Sequence, residues 1–313
     1  MDAEADHLLL GGGFAALEVA RLLKQADPAS RVTMISPSPR LTFRPWLIYL
    51  PAGRLPFEHT QIALDRAAAE FGFDLVVDAV RAVDPGTGVV HTDGGRQVSF
   101  ANVLVATGSV SDRAWIPGAS ACALFPCDDD DARRLAAEFT DMGERSVTVI
   151  VGGQRPGPGL EYAGWLAESA RRRGRGVSVT LIDPDRKLAM LGPRGLAKVA
   201  SFLGERGGRL RFGERVLGVS DSEVAVEGQG RLRSDLTAVV GPLKGVDLAL
   251  PRDAVDASGF VTVDERFRTP GYDNVFGLGD AVSVPSAPWL PKAMVIARLL
   301  AQTVAGNMGF LIN

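Results

Sequence analysis

The sequence of 313 residues is short of cysteine, with only Cys122 and Cys127. Two cysteines provide no disulfide framework, and so sparse a use of cysteine is typical of a reducing compartment. Residues 1–6 are acidic and lack the basic start and apolar core of a signal peptide. These absences predict a cytoplasmic protein whose fold depends on a packed core.

The sequence also lacks long apolar runs and an excess of one charge. No run of about 18 apolar residues is present, so no helix is predicted to cross a bilayer. The 34 basic side chains are balanced by 37 acidic ones, which leaves no basic field for nucleic acid. The chain is long enough for two domains, or for one domain with a large insertion. The composition therefore indicates a soluble α/β protein that does not bind nucleic acid.

Glycine is abundant, and its first cluster follows an apolar run. His7–Leu10 predicts a buried strand, and the segment from Phe14 predicts an amphipathic helix. Between them, Gly11, Gly13 and Ala16 have the spacing G-x-G-x-x-G/A of a dinucleotide-binding turn. The first glycine permits the turn, the second allows a pyrophosphate to approach the backbone, and a small third residue lets helix and strand pack. The helix N-terminus then offers unpaired N–H groups to phosphate.

The next predicted strand, Arg31–Ile35, ends without the acid that usually holds a ribose in such a unit. Ser36 stands in that position, and its hydroxyl group can still accept one hydrogen bond from a ribose. Further on, Leu41–Gly53 is rich in aromatic residues and proline and has no clear period. Two interpretations remain open for that segment: a buried connector, or a wall beside a flat or apolar ligand.

Two further motifs follow the glycine turn along the chain. Ala106-Thr107-Gly108 comes directly after another buried strand, and Tyr272–Asp280 contains a strand that ends in Gly279-Asp280. In this order the three motifs resemble the FAD-dependent pyridine nucleotide-disulfide oxidoreductase superfamily over nearly the whole chain. The resemblance implies FAD as a cofactor, and it implies the following FAD-binding residues: Gly11, Gly13, Phe14, Ala15, Ala16, Ser36, Arg44, Pro45, Ala106, Thr107, Gly108, Gly279, Asp280 and Lys292.

A second nucleotide-binding unit lies between these motifs. Ser146–Val151 predicts a buried strand, Gly152–Gly159 a turn rich in glycine and proline, and Leu160–Arg173 a helix. The following strand ends in Asp183, whose charge favours NADH over the 2′-phosphate of NADPH. Arg186-Lys187 comes soon after it, so NADPH stays open. The residues assigned to NAD are Gly152, Gly153 and Asp183. A fourth, Glu161, is implied to lie near the nicotinamide by the resemblance of its helix to the NADH-side helix of type II NADH dehydrogenases.

Together these motifs predict an α/β fold with two Rossmann-like dinucleotide-binding domains. The NAD(P)H-binding domain, residues 119–253, is expected as an insertion in a discontinuous FAD-binding domain, residues 1–118 and 254–313. Four acids, Asp128–Asp131, open a predicted helix at the start of the insertion. Acids in a first helical turn are typical of capping, so no metal site is predicted there.

Within the superfamily, the sequence is most similar to type II NADH dehydrogenases and sulfide:quinone oxidoreductases. Gly159–Glu168 resembles the NADH-side helix of the former, and Val240–Asp247 resembles the latter. In the sulfide-oxidising group a cysteine before an acidic helix lies near the flavin, and Cys127 matches it. The redox pair of those enzymes needs cysteines in the second glycine turn and near the C-terminus, which this chain lacks. Lys292 is expected to stabilise negative charge near the flavin, so Cys127 and Lys292 are the catalytic candidates.

Quinone-reducing relatives end in an extra amphipathic segment, whereas this sequence stops soon after a predicted helix, Ala293–Asn307. The remaining Met308–Ile312 is too short for an interfacial helix. A soluble protein is therefore expected, with peripheral membrane contact left open, and a homodimer is expected.

The resulting expectation is an FAD-dependent oxidoreductase that passes electrons from NAD(P)H, with NADH favoured, through FAD to a small acceptor such as a quinone. Two alternatives stay open. One is an enzyme like sulfide:quinone oxidoreductase without the usual cysteine pair. The other is a non-catalytic flavin redox sensor, suggested by the unusual turn Gln154–Pro158.

Overall fold

The computed structural model describes residues 3–141, 143, 145–153, 156–174 and 176–309. The chain divides into two compact units. The first is drawn from Met1–Thr42, Gln61–Val110 and Lys244–Asn313, and the second from Phe43–Thr60 and Ser111–Leu243. Each unit is therefore discontinuous in sequence. The segment Phe43–Thr60 belongs to the second unit, although its sequence position lies inside the expected FAD-binding domain, whose functional boundaries stay a prediction.

Strands and helices alternate along much of the described chain. The strands are β1 Ala3–Leu10, β2 Val32–Ser36, β3 Arg40–Thr42, β4 Gln61–Ala63, β5 Asp74–Val77, β6 Val80–Asp84, β7 Val89–Thr92, β8 Gln97–Val105, β9 Ser109–Ser111, β10 Ser146–Val151, β11 Ser178–Asp183, β12 Arg209–Phe212, β13 Val216–Val219, β14 Glu223–Val226, β15 Gly230–Arg233, β16 Leu236–Val240, β17 Leu243–Gly245, β18 Val261–Thr262, β19 Val275–Gly277 and β20 Val282–Ser283. The α-helices are α1 Phe14–Ala26, α2 Leu64–Phe71, α3 Ala119–Cys122, α4 Asp129–Asp141, α5 Pro156–Arg172, α6 Gly192–Gly204 and α7 Met294–Gly309. Short 3₁₀ helices occupy Arg44–Tyr49, Phe57–Thr60, Lys187–Leu191, Arg252–Ala254 and Gly279–Ala281.

The first unit is built on a sheet with the strand order β5-β2-β1-β8-β7-β6, and β19 also pairs with β8. β1 is parallel to β2 and β8, so that Leu10 lies opposite Ile35 on one side and Val105 on the other. The chain leaves β1 through α1 to reach β2, whereas β8 lies on the opposite side of β1. The strand order therefore reverses between β1 and β8, which is where ligands bind in open α/β sheets, at the carboxyl ends of the strands.

The second unit repeats this plan on a smaller scale. Its parallel sheet has the order β12-β11-β10-β16, and the switch point lies between β10 and β16. On one face, Val149 and Val151 pack with Tyr162 and Leu166 of α5. On the other face, Ile150 packs in a separate cluster with residues of the antiparallel sheet β13-β14-β15. Alternate residues of one strand therefore enter two cores, as the two-residue period of a strand requires.

The helix of the second nucleotide unit is longer than the sequence predicts, because α5 begins at Pro156 rather than at Leu160. Proline suits the start of a helix, since its missing N–H group would have no helical partner there and its φ angle is already helical. Within the described residues, no helix is both long enough and apolar enough to cross a membrane.

Candidate functional site

The first glycine turn lies at the switch point of the first unit. Gly11 has a φ of +105°, and a Cβ atom placed on it would lie 2.5 Å from the carbonyl oxygen of Ala106. Gly13 is the N-cap of α1, and no side chain caps this helix. A Cβ on Gly13 would meet only that carbonyl oxygen, at 3.9 Å. The close approach at Gly11 therefore shapes the turn, while the space at Gly13 leaves room for a ligand at the start of α1.

The other two motifs of the first unit meet at this helix. Ala106 is buried beside Gly11, and Thr107 and Gly108 follow it half-exposed. Gly279 has a φ of +76°, and a Cβ atom on it would lie 3.1 Å from the Cβ of Ala15. Three sequence motifs separated by up to 268 positions, from Gly11 to Gly279, therefore converge around the N-terminus of α1. Phe14 is half-exposed at the start of the helix, whereas the next two residues, Ala15 and Ala16, are buried.

Lys292 is tied to the last of these motifs. Its Nζ donates hydrogen bonds to the carbonyl oxygens of Asp280, at 2.9 Å, and Val282, at 2.7 Å. The same ammonium group lies 3.7 Å from the centre of the Phe260 ring. The Lys292 charge therefore holds the backbone beyond Gly279 in place and brings a positive charge beside the half-exposed Asp280.

Ser36 is buried at the end of β2, and its hydroxyl group donates to the carbonyl oxygen of Ser38 at 2.8 Å. A Cβ on Gly12 would lie 2.5 Å from that hydroxyl oxygen. Ser36 therefore packs directly under the glycine turn.

Arg44 and Pro45 are in a different compact unit from the three converging motifs, within the 3₁₀ helix Arg44–Tyr49. In that unit Leu47 and Leu50 are buried against Ala132 of α4. The apolar segment thus matches the buried-connector interpretation at these two leucines, while Trp46 remains 45% exposed.

The second glycine turn is occupied by a side chain that the sequence analysis missed. The six-membered ring of Trp115 lies against Gly152, where an added Cβ would fall 2.1 Å from Cη2, and against Gly241, where it would fall 2.8 Å from Cε3. Gly153 has a φ of +67° and lies against Pro242. Gln154 and Arg155 of the unusual turn fall outside the described residues, as do Phe310–Ile312 of the predicted C-terminal tail. The only sequence signal for Trp115 was a large aromatic residue in the connection before the insertion.

Asp183 is the acid that the sequence analysis assigns to a ribose, and that assignment stays a prediction. The residue is fully buried, and its carboxylate accepts hydrogen bonds from the backbone N–H groups of Lys187, at 2.9 Å, and Leu188, at 2.7 Å. The carboxylate is therefore directed at the 3₁₀ helix that begins there, and the exposed residues that follow β11 are Asp185, Arg186 and Lys187. Glu161 is also exposed, one turn beyond the start of α5.

Cys127 precedes α4 and is half-buried near Tyr162. Tyr162 is fully buried, and its hydroxyl group has no hydrogen-bond partner within the described part of the chain. Burial raises the pKa of Tyr162 well above its ordinary value, and the nearby Cys127 adds to this shift.

Two of the aspartates after Cys127 form ion pairs with a nearby arginine. Asp128 and Asp131 both accept hydrogen bonds from Arg113, at 2.9 and 2.6 Å, and Asp131 also accepts the N–H group of Phe125. Among the described residues, no group of three or more histidine, cysteine, aspartate or glutamate side chains could hold a metal ion.

Comparison with known proteins agrees with the convergence of motifs in the first unit. The family model described as pyridine nucleotide-disulphide oxidoreductase matches residues 5–299. The chain belongs to this family. The match confirms the family resemblance and the α/β class with dinucleotide-binding folds, and it identifies the chain as an oxidoreductase.

Individual relatives are distant but cover most of the chain. The sulfide-quinone reductase of Aquifex aeolicus (strain VF5) is 23% identical over 97% of this chain and 76% of the relative. A type II NADH:quinone oxidoreductase of Mycobacterium tuberculosis is 25% identical over 96% of this chain and 71% of the relative. The crystal structure of the sulfide:quinone oxidoreductase from Aquifex aeolicus superposes with a TM-score of 0.87 at 21% identity, covering 99% of this chain and 77% of that one.

Membership of the family confirms the predicted cofactors, FAD with NADH or NADPH. The first unit fits FAD, because the space at Gly13 and the uncapped start of α1 provide N–H groups and room for a pyrophosphate. In the second unit the switch point between β10 and β16 has a half-buried aromatic side chain, Trp115, beside its glycines.

Proposed function

We propose that the chain is an FAD-dependent oxidoreductase that passes electrons from NADH or NADPH through FAD to a small acceptor of the quinone class. The observation that carries the proposal is the convergence of Gly11, Ala106 and Gly279 around the open N-terminus of α1. The acceptor class is supported by the two relatives whose names specify quinones. The cytoplasmic location and the homodimer remain predictions from the sequence.

In this proposal the first unit holds FAD. The N–H groups at the start of α1 bind the pyrophosphate, because the helix dipole favours anions there and Gly13 leaves room for them. Lys292 fixes the loop through Asp280 and places its positive charge next to the flavin-binding segment. When bound, FAD supplies the redox chemistry, accepting two electrons from the nicotinamide nucleotide and releasing them to the acceptor. The protein contributes orientation and electrostatics.

The second unit is assigned to the nicotinamide nucleotide. The predicted NAD(P)H-binding domain, residues 119–253, shares residues 119–243 with this unit. The predicted FAD-binding domain, residues 1–118 and 254–313, likewise stays a prediction. The assignment of the second unit is supported by the parallel sheet β12-β11-β10-β16, whose switch point carries Gly152 and Gly153. Because the carboxylate of Asp183 is buried and accepts hydrogen bonds from two backbone amides, both NADH and NADPH are retained as donors.

The decisive experiment is an anaerobic titration of the purified flavoprotein with NADH and, separately, with NADPH. We expect loss of the oxidised flavin absorbance with one equivalent of donor per flavin, followed by reoxidation when a short-chain quinone is added. A flavin spectrum that neither nucleotide changes would refute the proposed donor. Reduction without reoxidation by quinone would refute only the acceptor class.

A second candidate takes electrons from a sulfur nucleophile. It is favoured by the relative named sulfide-quinone reductase and by Cys127, which precedes α4 beside the buried Tyr162. Under this alternative, sulfide bleaches the flavin in the wild-type protein and fails to do so in Cys127→Ser. A protein that retains FAD but responds to neither nucleotides nor sulfide would match the third possibility, a non-catalytic flavin sensor.

A further inference from the structure

Trp115 occupies a position that the family motifs do not describe. Its indole touches Gly152, which follows β10, and Gly241, which follows β16. These two strands are neighbours in the parallel sheet, and the strand order reverses between them. The indole therefore lies at the carboxyl edge of the sheet, at the switch point where an open α/β sheet binds its ligand.

The contacts of Trp115 explain why glycine stands at both positions. A Cβ atom on Gly152 would fall 2.1 to 3.0 Å from three ring atoms, and one on Gly241 would fall 2.8 Å from the ring. Side chains at these positions would have to displace the whole indole, since ring atoms within 3.0 Å of a Cβ cannot be accommodated. The absence of side chains at Gly152 and Gly241 thus lets the aromatic ring pack directly against the backbone.

The backbone around Trp115 holds the ring firmly. The N–H group of Trp115 donates to the carbonyl oxygen of Asp112, and the N–H group of Asp112 donates to the carbonyl oxygen of Pro242. On the far side, Ile116 is buried, and Gly118 has a φ of +82° where it approaches the carbonyl oxygen of Val219. The backbone of the segment is therefore anchored at both ends, and the indole it carries is half-buried.

The position of the Trp115 ring indicates which half of the dinucleotide it would contact. In a Rossmann unit the adenosine ribose lies beyond the second strand, here β11, and the pyrophosphate lies at the start of the first helix, here α5. The other half of the nucleotide must then extend on the β16 side of the switch point, which is the side that carries Gly241 and Trp115. A flat indole at this place suits contact with the ribose and ring of the nicotinamide half.

Building on the proposed function, we infer that Trp115 is a positioning residue that forms the wall of the nucleotide crevice in the second unit and holds the nicotinamide half of NAD(P)H. The indole acts by contact with the nucleotide and takes no part in electron transfer. Its removal weakens nucleotide binding, whereas an aromatic replacement preserves the flat wall.

The test combines binding with flavin reduction in the holoprotein. NAD⁺ and NADP⁺ are titrated against wild type, Trp115→Ala and Trp115→Phe, with the dissociation constant taken from the change in flavin absorbance and from quenching of indole fluorescence. Trp115→Ala is expected to raise the dissociation constant about tenfold, the loss typical of one aromatic contact. Trp115→Phe is expected to keep the dissociation constant within about threefold of wild type while losing the quenching.

Trp165→Phe provides the matched control. Trp165 is half-buried in the same unit, with its ring against Tyr49 at 5.4 Å and under Arg54 at 4.1 Å. This variant is expected to keep both the wild-type dissociation constant and the nucleotide-dependent quenching. Thermal unfolding of each variant shows whether the second unit has remained folded.

The results separate the inference from the proposed function. Unchanged or tighter binding in folded Trp115→Ala would overturn the inference, since tighter binding would mean that the indole obstructs the crevice. Wild-type binding of NAD⁺ or NADP⁺ that depends on Trp115, without flavin reduction by NADH or NADPH, would refute the proposed function and leave the inference standing. Absence of nucleotide binding to wild type would overturn both.

Discussion

Gly11 and Gly13 belong to one motif, but the structure gives them different tasks, and alanine substitutions separate those tasks. In Gly11→Ala, the new Cβ would lie 2.5 Å from the Ala106 carbonyl oxygen and 2.8 Å from Thr107 Cα, at a φ of +105°. In Gly13→Ala, the φ of −82° is ordinary for alanine, and the only neighbour is 3.9 Å away. The first change therefore damages the fold, and the second changes only the space above α1.

The magnitudes follow from these contacts. A side chain in left-handed backbone costs about 1–2 kcal/mol, and crowding against backbone atoms adds about 1–3 kcal/mol. Gly11→Ala is thus expected to lower the midpoint of thermal unfolding by about 4–20 °C. Gly13→Ala loses only a favourable N-cap residue, which is worth up to about 1 kcal/mol. Because the methyl group enters the space assigned to the pyrophosphate, however, Gly13→Ala is expected to be purified with little FAD.

The assay compares flavin content of the purified variants with the unfolding midpoint after the flavin has been removed. Gly306→Ala is the matched control, since Gly306 lies in α7 of the same unit with no atom within 4 Å of an added Cβ. An unfolding midpoint of Gly11→Ala within about 2 °C of wild type would refute the described close approach. Full FAD content in Gly13→Ala would refute the assignment of the α1 N-terminus to the pyrophosphate.

Three further predictions concern polar groups that are buried or half-buried. Asp183→Ala leaves two backbone amides without their acceptor and is expected to lower the free energy of unfolding by about 2–4 kcal/mol. The ratio of kcat/KM for NADH and NADPH is expected to stay near wild type. A large change in that ratio would show that the carboxylate reaches the nucleotide. Burial lowers the pKa of His7 below its ordinary value of 6.5. Below about pH 6.5 the imidazole is therefore protonated in the unfolded chain before it is protonated in the folded chain, and the free energy of unfolding is expected to fall as the pH drops. Urea unfolding at several pH values should show a weaker decline in His7→Leu, and an identical decline would contradict the assignment. Lys292→Met removes two charge-assisted bonds and is expected to speed FAD dissociation about tenfold, measured by flavin fluorescence; an unchanged rate would show that Lys292 does not support the flavin-binding segment.

Much of the fold was predictable because its signals are local. The strand before Gly11 and the helix after Gly13 are encoded by an apolar run, a break and an amphipathic repeat within about 20 positions. The same applies to β10 and α5, although the helix begins at Pro156, earlier than predicted. The sequence also indicated that Ala106 and Gly279 belong with the first turn, because their order along the chain resembles a known family.

Other features had no local signal. The apolar segment containing Leu47 and Leu50 has no period, and its packing, such as that against Ala132, shows which compact unit it joins. Asp183 stands at the position expected for a ribose-binding acid, but its carboxylate caps two amides of the following 3₁₀ helix. A short acidic side chain at a strand end can serve either purpose, and the path of the next turn decides between them.

Local sequence and the order of motifs were sufficient for the two glycine turns, the strands and helices that flank them, and the family to which the chain belongs. Each of these depends on residues that are close in sequence or on their order along the chain. The tertiary structure alone decided what surrounds each turn. It brought Gly279 against Ala15 in the first unit and the Trp115 ring onto Gly152 and Gly241 in the second. These contacts join positions that are far apart along the chain, and their cause is the packing of whole elements, which no local pattern of residues records.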